Sequence, residues 1–99
     1  MKKKKHNRWN ILSEQSNGRL ERDRRALYKL HPRLTRSEQE VVIFIREGYT
    51  SSQIAEILYI SEKSIENYRN RIHHHLNLEP GVLLKPILIS LPLNENNLY

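Results

Sequence analysis

Ninety-nine residues allow one domain, and the polar runs at either end leave about 60 of them for a core, near the lower limit for folding without staples. The absence of cysteine excludes a disulfide framework and a thiolate metal site, and it suits a reducing compartment, with the cytoplasm as the expected location. The net charge of +6 is uneven: residues 1–33 hold eleven Lys or Arg against three acidic residues, net +8, and residues 34–99 hold six against eight, net −2.

Residues 1–18, MKKKKHNRWNILSEQSNG, read as a flexible basic arm. Lys2 to Lys5 either touch phosphate beside a main site or form a solvated tail, and Trp9, Ile11 and Leu12 could tuck onto the domain. No apolar run follows the lysines, so neither a signal peptide nor a membrane span is expected. Residues 19–31 suit an N-terminal helix whose thin stripe of Leu20, Leu27 and Leu30 would pack on the core or pair with its own copy. Pro32 ends it, because the residue before proline avoids helical angles.

Three capping signals then follow within 30 residues. Thr35 with Glu38, and Thr50 with Gln53, are capping boxes, in which the hydroxyl takes one orphan N–H and the longer side chain reaches back to another. Ser61 opens a third helix, with Glu62 at the positive end of its dipole. Gly48 stops the first of these helices, where Val41, Val42, Phe44 and Ile45 form the apolar face and Ile43 is the expected exposed member. The second helix ends near Leu58, and only Tyr59 and Ile60 precede the Ser61 cap, so the next helix must leave steeply, as in a helix-turn-helix. Ile54, Ala55, Leu58, Ile60, Ile65, Tyr68 and Ile72 supply the buried stripe.

With Ile65, Tyr68 and Ile72 inward, the helical period sets Lys63, Glu66, Asn67, Asn70 and His74 outward together. These types suit a DNA major groove: Asn pairs with two adenine atoms, Glu accepts from the cytosine amino group, and Lys reaches guanine or phosphate. His73, His74 and His75 point about 100 degrees apart in succession and cannot converge on one metal, so no metal or cofactor is expected. Protonated histidine near a helix C-terminus is favoured, which would make phosphate affinity depend on pH. After the turn at Glu79-Pro80-Gly81, VLLKPILISLPL reads as a short final helix, with Leu84, Ile87, Leu88 and Leu91 spaced along it. Pro86 requires that this helix start near Lys85 or bend there. Residues 94–99 are a polar tail.

Leu34, Thr35, Glu38, Glu40, Val41, Gly48, Thr50, Ile54, Ala55, Leu58, Ile60, Ser61, Ser64, Ile65, Leu76 and Leu78 stand at the offsets of a known pattern. On them the chain resembles the DNA-binding domain of the LuxR/GerE (NarL/FixJ) family of bacterial transcription regulators. A sub-pattern, LHPRLT followed by S-x-IENYRNRI and HHHLNL, is similar to the LuxR-type output domains that end large sensor proteins of Bacteroidetes-type bacteria. The resemblance implies an all-α fold, a compact four-helix domain over 32–93 with the additional N-terminal helix and basic arm. It implies a recognition helix at about 61–76 in the major groove, with Glu66, Asn67 and Asn70 at base edges, to which Lys63 is added by its reach to guanine. Thr50, Ser51, Ser52, Ser64, Tyr68, Arg69, Arg71 and His74 are the expected phosphate contacts, and Arg36 is expected near the DNA backbone. Leu84, Ile87, Leu88 and Leu91 are the expected dimer contacts. The partners so implied are double-stranded DNA, a second copy of the chain and, as a further candidate, RNA polymerase.

The reading that follows is sequence-specific binding of duplex DNA by a transcription regulator. Its rival is a protein-interaction module that pairs with a full-length regulator and modulates it, which the net −2 of residues 34–99 would suit. Region four of a sigma factor shares the helix-turn-helix but normally accompanies a second promoter-binding domain. Enzymatic activity is not expected, for want of a nucleophile-base pair or a phosphate loop.

Overall fold

The computed structural model describes residues 18–93. The expected arm and polar tail lie outside them, apart from Gly18. Among the described residues the chain forms five helices and no strand: α1 Arg19–Leu30, α2 Arg36–Arg46, α3 Ser51–Leu58, α4 Glu62–His75 and α5 Leu84–Ile89.

The fold is built around α2, which α1, α3, α4 and α5 all contact. Val41, Val42, Ile43, Phe44 and Ile45 are each at most 1% exposed, which a helix with only one covered face cannot achieve. This corrects the expectation for Ile43. A single amphipathic stripe would have left it in water, but α2 has partners on several sides and Ile43 is covered by them. Leu20, Ala26 and Leu27 of α1 are buried in the same core, so α1 packs on its own domain. Two guanidinium bonds from Arg19 to Glu47, at 2.5 and 3.1 Å, fasten its start to the end of α2. Burial raises the Asp23 carboxyl above its ordinary value, against the opposing pull of Arg46 and Arg19.

The ends of the helices follow from local chemistry. Both capping boxes form, with Thr35 N–H 2.9 Å from Glu38 Oε1 and Thr50 N–H 2.9 Å from Gln53 Oε1. α2 closes at Gly48, φ +98°, where the N–H groups of Gly48 and Tyr49 reach back to the carbonyls of Ile45 and Phe44. That is a Schellman closure, and its accompanying apolar contact is the edge-on pair of Phe44 and Tyr49, 5.3 Å between centroids. α3 and α4 close in the same way on Tyr59, φ 61°, and Asn77, φ 56°.

α5 is six residues long and starts at Leu84, which puts Pro86 in its first turn, where no intrahelical N–H is required. The helix therefore begins one residue before Lys85. Arg46, near the end of α2, donates to the carbonyls of Leu88, Ile89 and Leu91. A cation at these C-terminal carbonyls satisfies groups that the short helix cannot pair internally.

The burial of Ile43 is directly testable. Ile43→Ala should cost about 2–5 kcal/mol of stability in urea unfolding, the usual range for emptying a core site, whereas an exposed position would lose less than about 0.5 kcal/mol.

Candidate nucleic-acid interface

The turn between α3 and α4 sets the site. Tyr59 takes the left-handed conformation that glycine usually supplies, and Ile60 N–H then returns to the Ala55 carbonyl at 3.0 Å. With only Tyr59 and Ile60 between it and α3, Ser61 caps α4, its hydroxyl accepting from Ser64 N–H and donating to Ser64 Oγ, both at 3.0 Å. Ile54, Ala55, Ile57, Ile65 and Ile72 are buried in the joint. Here the sequence reading needs two corrections. Ile57 occupies a buried position that the expected stripe passed over, and Ile60 is 37% exposed. Once Tyr59 leaves helical angles, the 3.6-residue period no longer sets the direction of Ile60.

Along α4, Lys63, Glu66, Asn67, Asn70 and His74 are all exposed, so the five outward candidates do share one accessible face. Tyr68 is half-buried against the core, and the Arg71 guanidinium lies 5.2 Å from its ring centroid. This cation–π contact holds an exposed cation beside the polar face. Arg69 is half-buried. Of the expected phosphate contacts at the helix starts, Thr50 and Ser52 are exposed, and Ser51 and Ser64 are half-buried. The Thr50 and Ser61 hydroxyl oxygens already accept backbone N–H bonds in their caps. Asn70 and His74 also border a shallow depression of about 380 Å³ with His73 and Leu78.

The three histidines part ways. His74 is exposed, His73 Nε2 lies 3.0 Å from the Val82 carbonyl, and His75 Nδ1 lies 3.0 Å from Glu38 Oε1. A carbonyl only accepts, and Glu38 Oε1 is already the acceptor of Thr35 N–H, so both ring nitrogens are the donors. Glu38 is 1% exposed, and its Oε1 takes both the Thr35 N–H of the capping box and the His75 ring. One buried carboxylate thus starts α2 and fastens the last turn of α4 to it. The sequence showed the box but not the second partner, because nothing local marks a contact 37 residues away.

Arg36, expected near a DNA backbone, is largely exposed, and its nearest carboxylate is Glu40 at 3.7 Å. Burial raises the Glu40 carboxyl, against Arg36 and Arg24. Leu84 and Leu88, expected to meet a second copy, are buried in the core of their own chain. Ile87 and Leu91 are half-buried. The exposed apolar surface at this end belongs to Leu83 and Ile89, at 74% and 50%. Leu84 and Leu88 are taken up by the core because a small domain needs those leucines to cover α2. No helix among the described residues is long and apolar enough to cross a membrane.

Glu38→Ala should destabilise the chain by about 2–4 kcal/mol in urea unfolding, since two donors lose a buried acceptor together. Glu38→Gln keeps an oxygen there and should lose less; equal losses would show that the shared acceptor is not what matters.

Comparison with known proteins accords with this geometry. Over 45 residues the chain is 42% identical to the transcriptional regulatory protein DegU of Brevibacillus brevis, covering 46% of this chain and 19% of that protein. Over 62 residues it is 34% identical to the oxygen regulatory protein NreC of Staphylococcus carnosus (strain TM300), covering 63% and 27%. The matched region thus spans 19% and 27% of these two relatives. No solved structure matches at a comparable level of significance. The GerE profile, described as bacterial regulatory proteins of the luxR family, matches residues 32–82, from the start of the α1–α2 turn to the loop before α5. With its helix-turn-helix in place and more than half of its length matched, the chain belongs to the luxR family of bacterial regulatory proteins.

Proposed function

We propose that the chain binds double-stranded DNA as the reading domain of a bacterial transcription regulator, with α4 lying in the major groove. The observation that carries this is the exposed face of α4. It joins Lys63, Glu66, Asn67 and Asn70 on one rigid helix, capped at Ser61 and pinned at His75, and family membership supports it. The base-reading roles belong to these four residues, and Arg71 and His74 are placed to meet phosphate on the flanks. The domain works as a homodimer with one α4 per half-site, joined through Leu83 and Ile89 rather than through the buried Leu84 and Leu88. RNA polymerase is a further partner of such a regulator.

The test is a salt-titrated binding assay on random duplexes, with sequencing of what is retained. Asn67→Ala and Asn70→Ala should each cost about 1–3 kcal/mol of specific binding and relax preference at one base pair. Equal loss on retained and random duplexes would remove the base-reading role. A chain that retains no DNA at all would favour the protein-interaction reading, in which the same fold pairs with another regulator.

Self-association has its own test. Leu83→Asp combined with Ile89→Asp should leave the fold intact and yield a monomer in sedimentation. Leu88→Asp should unfold the domain, because it would bury a charge. If the unmodified chain is already monomeric at high concentration, free and on DNA, the dimer is wrong.

A further inference from the structure

Tyr68 and Arg71 stand three residues apart on α4, close enough for their side chains to meet on one edge of the helix. The Tyr68 ring is half-buried and packed on the core, where its neighbours restrain it. Over that ring lies the Arg71 guanidinium, 5.2 Å from the centroid, on a side chain that is otherwise exposed. Arg19, Arg24 and Arg46 give their N–H groups to Glu47, Glu21 and the carbonyls of α5. Arg71 differs from them. Among the described residues it forms no ion pair, and a guanidinium held through its flat face keeps the N–H donors at its rim for another acceptor.

From this we infer that Tyr68 is a positioning residue for DNA binding: its ring holds the Arg71 guanidinium at the edge of α4, ready to grip one backbone phosphate through two N–H groups. The inference rests on the DNA-binding reading above, and it makes Tyr68 act through Arg71 rather than by touching DNA itself. Direction selects phosphate over a base. Arg71 follows Asn67 by four residues and so borders the reading face, whereas Tyr68 lies on the inward side with Ile65 and Ile72. A guanidinium drawn to that ring is drawn off the line of Asn67 and Asn70. A helix seated in the major groove has base edges in front of it and a strand backbone along each side, so the group beyond that edge is phosphate. Charge and order make the contact count. Residues 34–99 carry net −2, and α4 holds Lys63, Arg69 and Arg71 against Glu62 and Glu66, so each well-placed cation matters. A long side chain already ordered before DNA arrives avoids losing its rotamer freedom on binding, which is worth about 2- to 10-fold in affinity.

The experiment uses the full chain and measures affinity across a salt series, for a retained duplex and for random duplexes of the same length. Arg71→Ala should flatten the slope of log affinity against log salt by about 0.9 and weaken both kinds of duplex equally, because a backbone contact carries no sequence information. Tyr68→Leu keeps an apolar cover on the core and leaves Arg71 its charge, so it should weaken both by about 2- to 10-fold with the slope unchanged. Tyr68→Met takes its place if Tyr68→Leu does not melt cooperatively. Tyr68→Phe keeps the ring face and should bind as the unmodified chain does. The deciding measurement is the double-mutant cycle: in the Arg71→Ala background Tyr68→Leu should have no further effect, whereas damage to the fold would weaken binding in either background. Four results would overturn the inference while leaving DNA reading by Asn67 and Asn70 intact: Tyr68→Leu binding like the unmodified chain, Tyr68→Leu losing as much in the Arg71→Ala background, Tyr68→Phe losing as much as Tyr68→Leu, or Arg71→Ala lowering the retained-to-random ratio. If the unmodified chain shows no salt-dependent binding, the DNA reading and this inference fall together.

Discussion

The structure depends on the burial of one helix. A folded part this short buries a smaller fraction of its surface than a large domain does, and here the core is gathered by surrounding α2 with the other four described helices. Each of them can then be thin. α1 contributes Leu20, Ala26 and Leu27, and α5 contributes Leu84 and Leu88. α3 and α4 turn their apolar edges inward and keep whole faces polar. The exposed face of α4 is therefore a consequence of where the core lies: α2 takes the apolar load that α4 would otherwise share.

The polar interactions place the helices, and the apolar ones hold them. Glu38, Gln39 and Arg46 all belong to α2, and each bonds outside the helix. Glu38 reaches His75, Gln39 reaches the Leu34 carbonyl at 3.0 Å, and Arg46 reaches the carbonyls at the end of α5. Among the described residues no buried side-chain nitrogen or oxygen lacks a partner. Such satisfied networks specify one arrangement among the many that generic apolar packing would tolerate.

What could be read in the sequence was what is encoded locally. The capping boxes at Thr35 and Thr50, the cap at Ser61 and the stop at Gly48 depend on residues within a few positions of each other, and each helix start came out as its box predicts. The outward set on α4 was equally legible, because the period of a long helix fixes directions from its buried residues. What was missed lies at longer range. The burial of Ile43 needs helices distant in sequence from α2, Arg46 acts 42 residues away, and His75 acts 37. The direction of Ile60 was lost at a left-handed residue that no glycine announced. The leucines of α5 looked free because periodicity shows that a residue will be buried but not which chain will bury it.

Arg46 and Glu47 are neighbours at the close of α2, and between them they hold both ends of the described chain. Glu47 binds Arg19 at the start of α1, while Arg46 bonds the last carbonyls of α5 and its charge is also felt by Asp23 of α1. The first and last helices are thus moored to a single turn of backbone. Contacts that hold the two terminal helices depend on the same closing turn of α2, so a change that unwinds that turn loosens both.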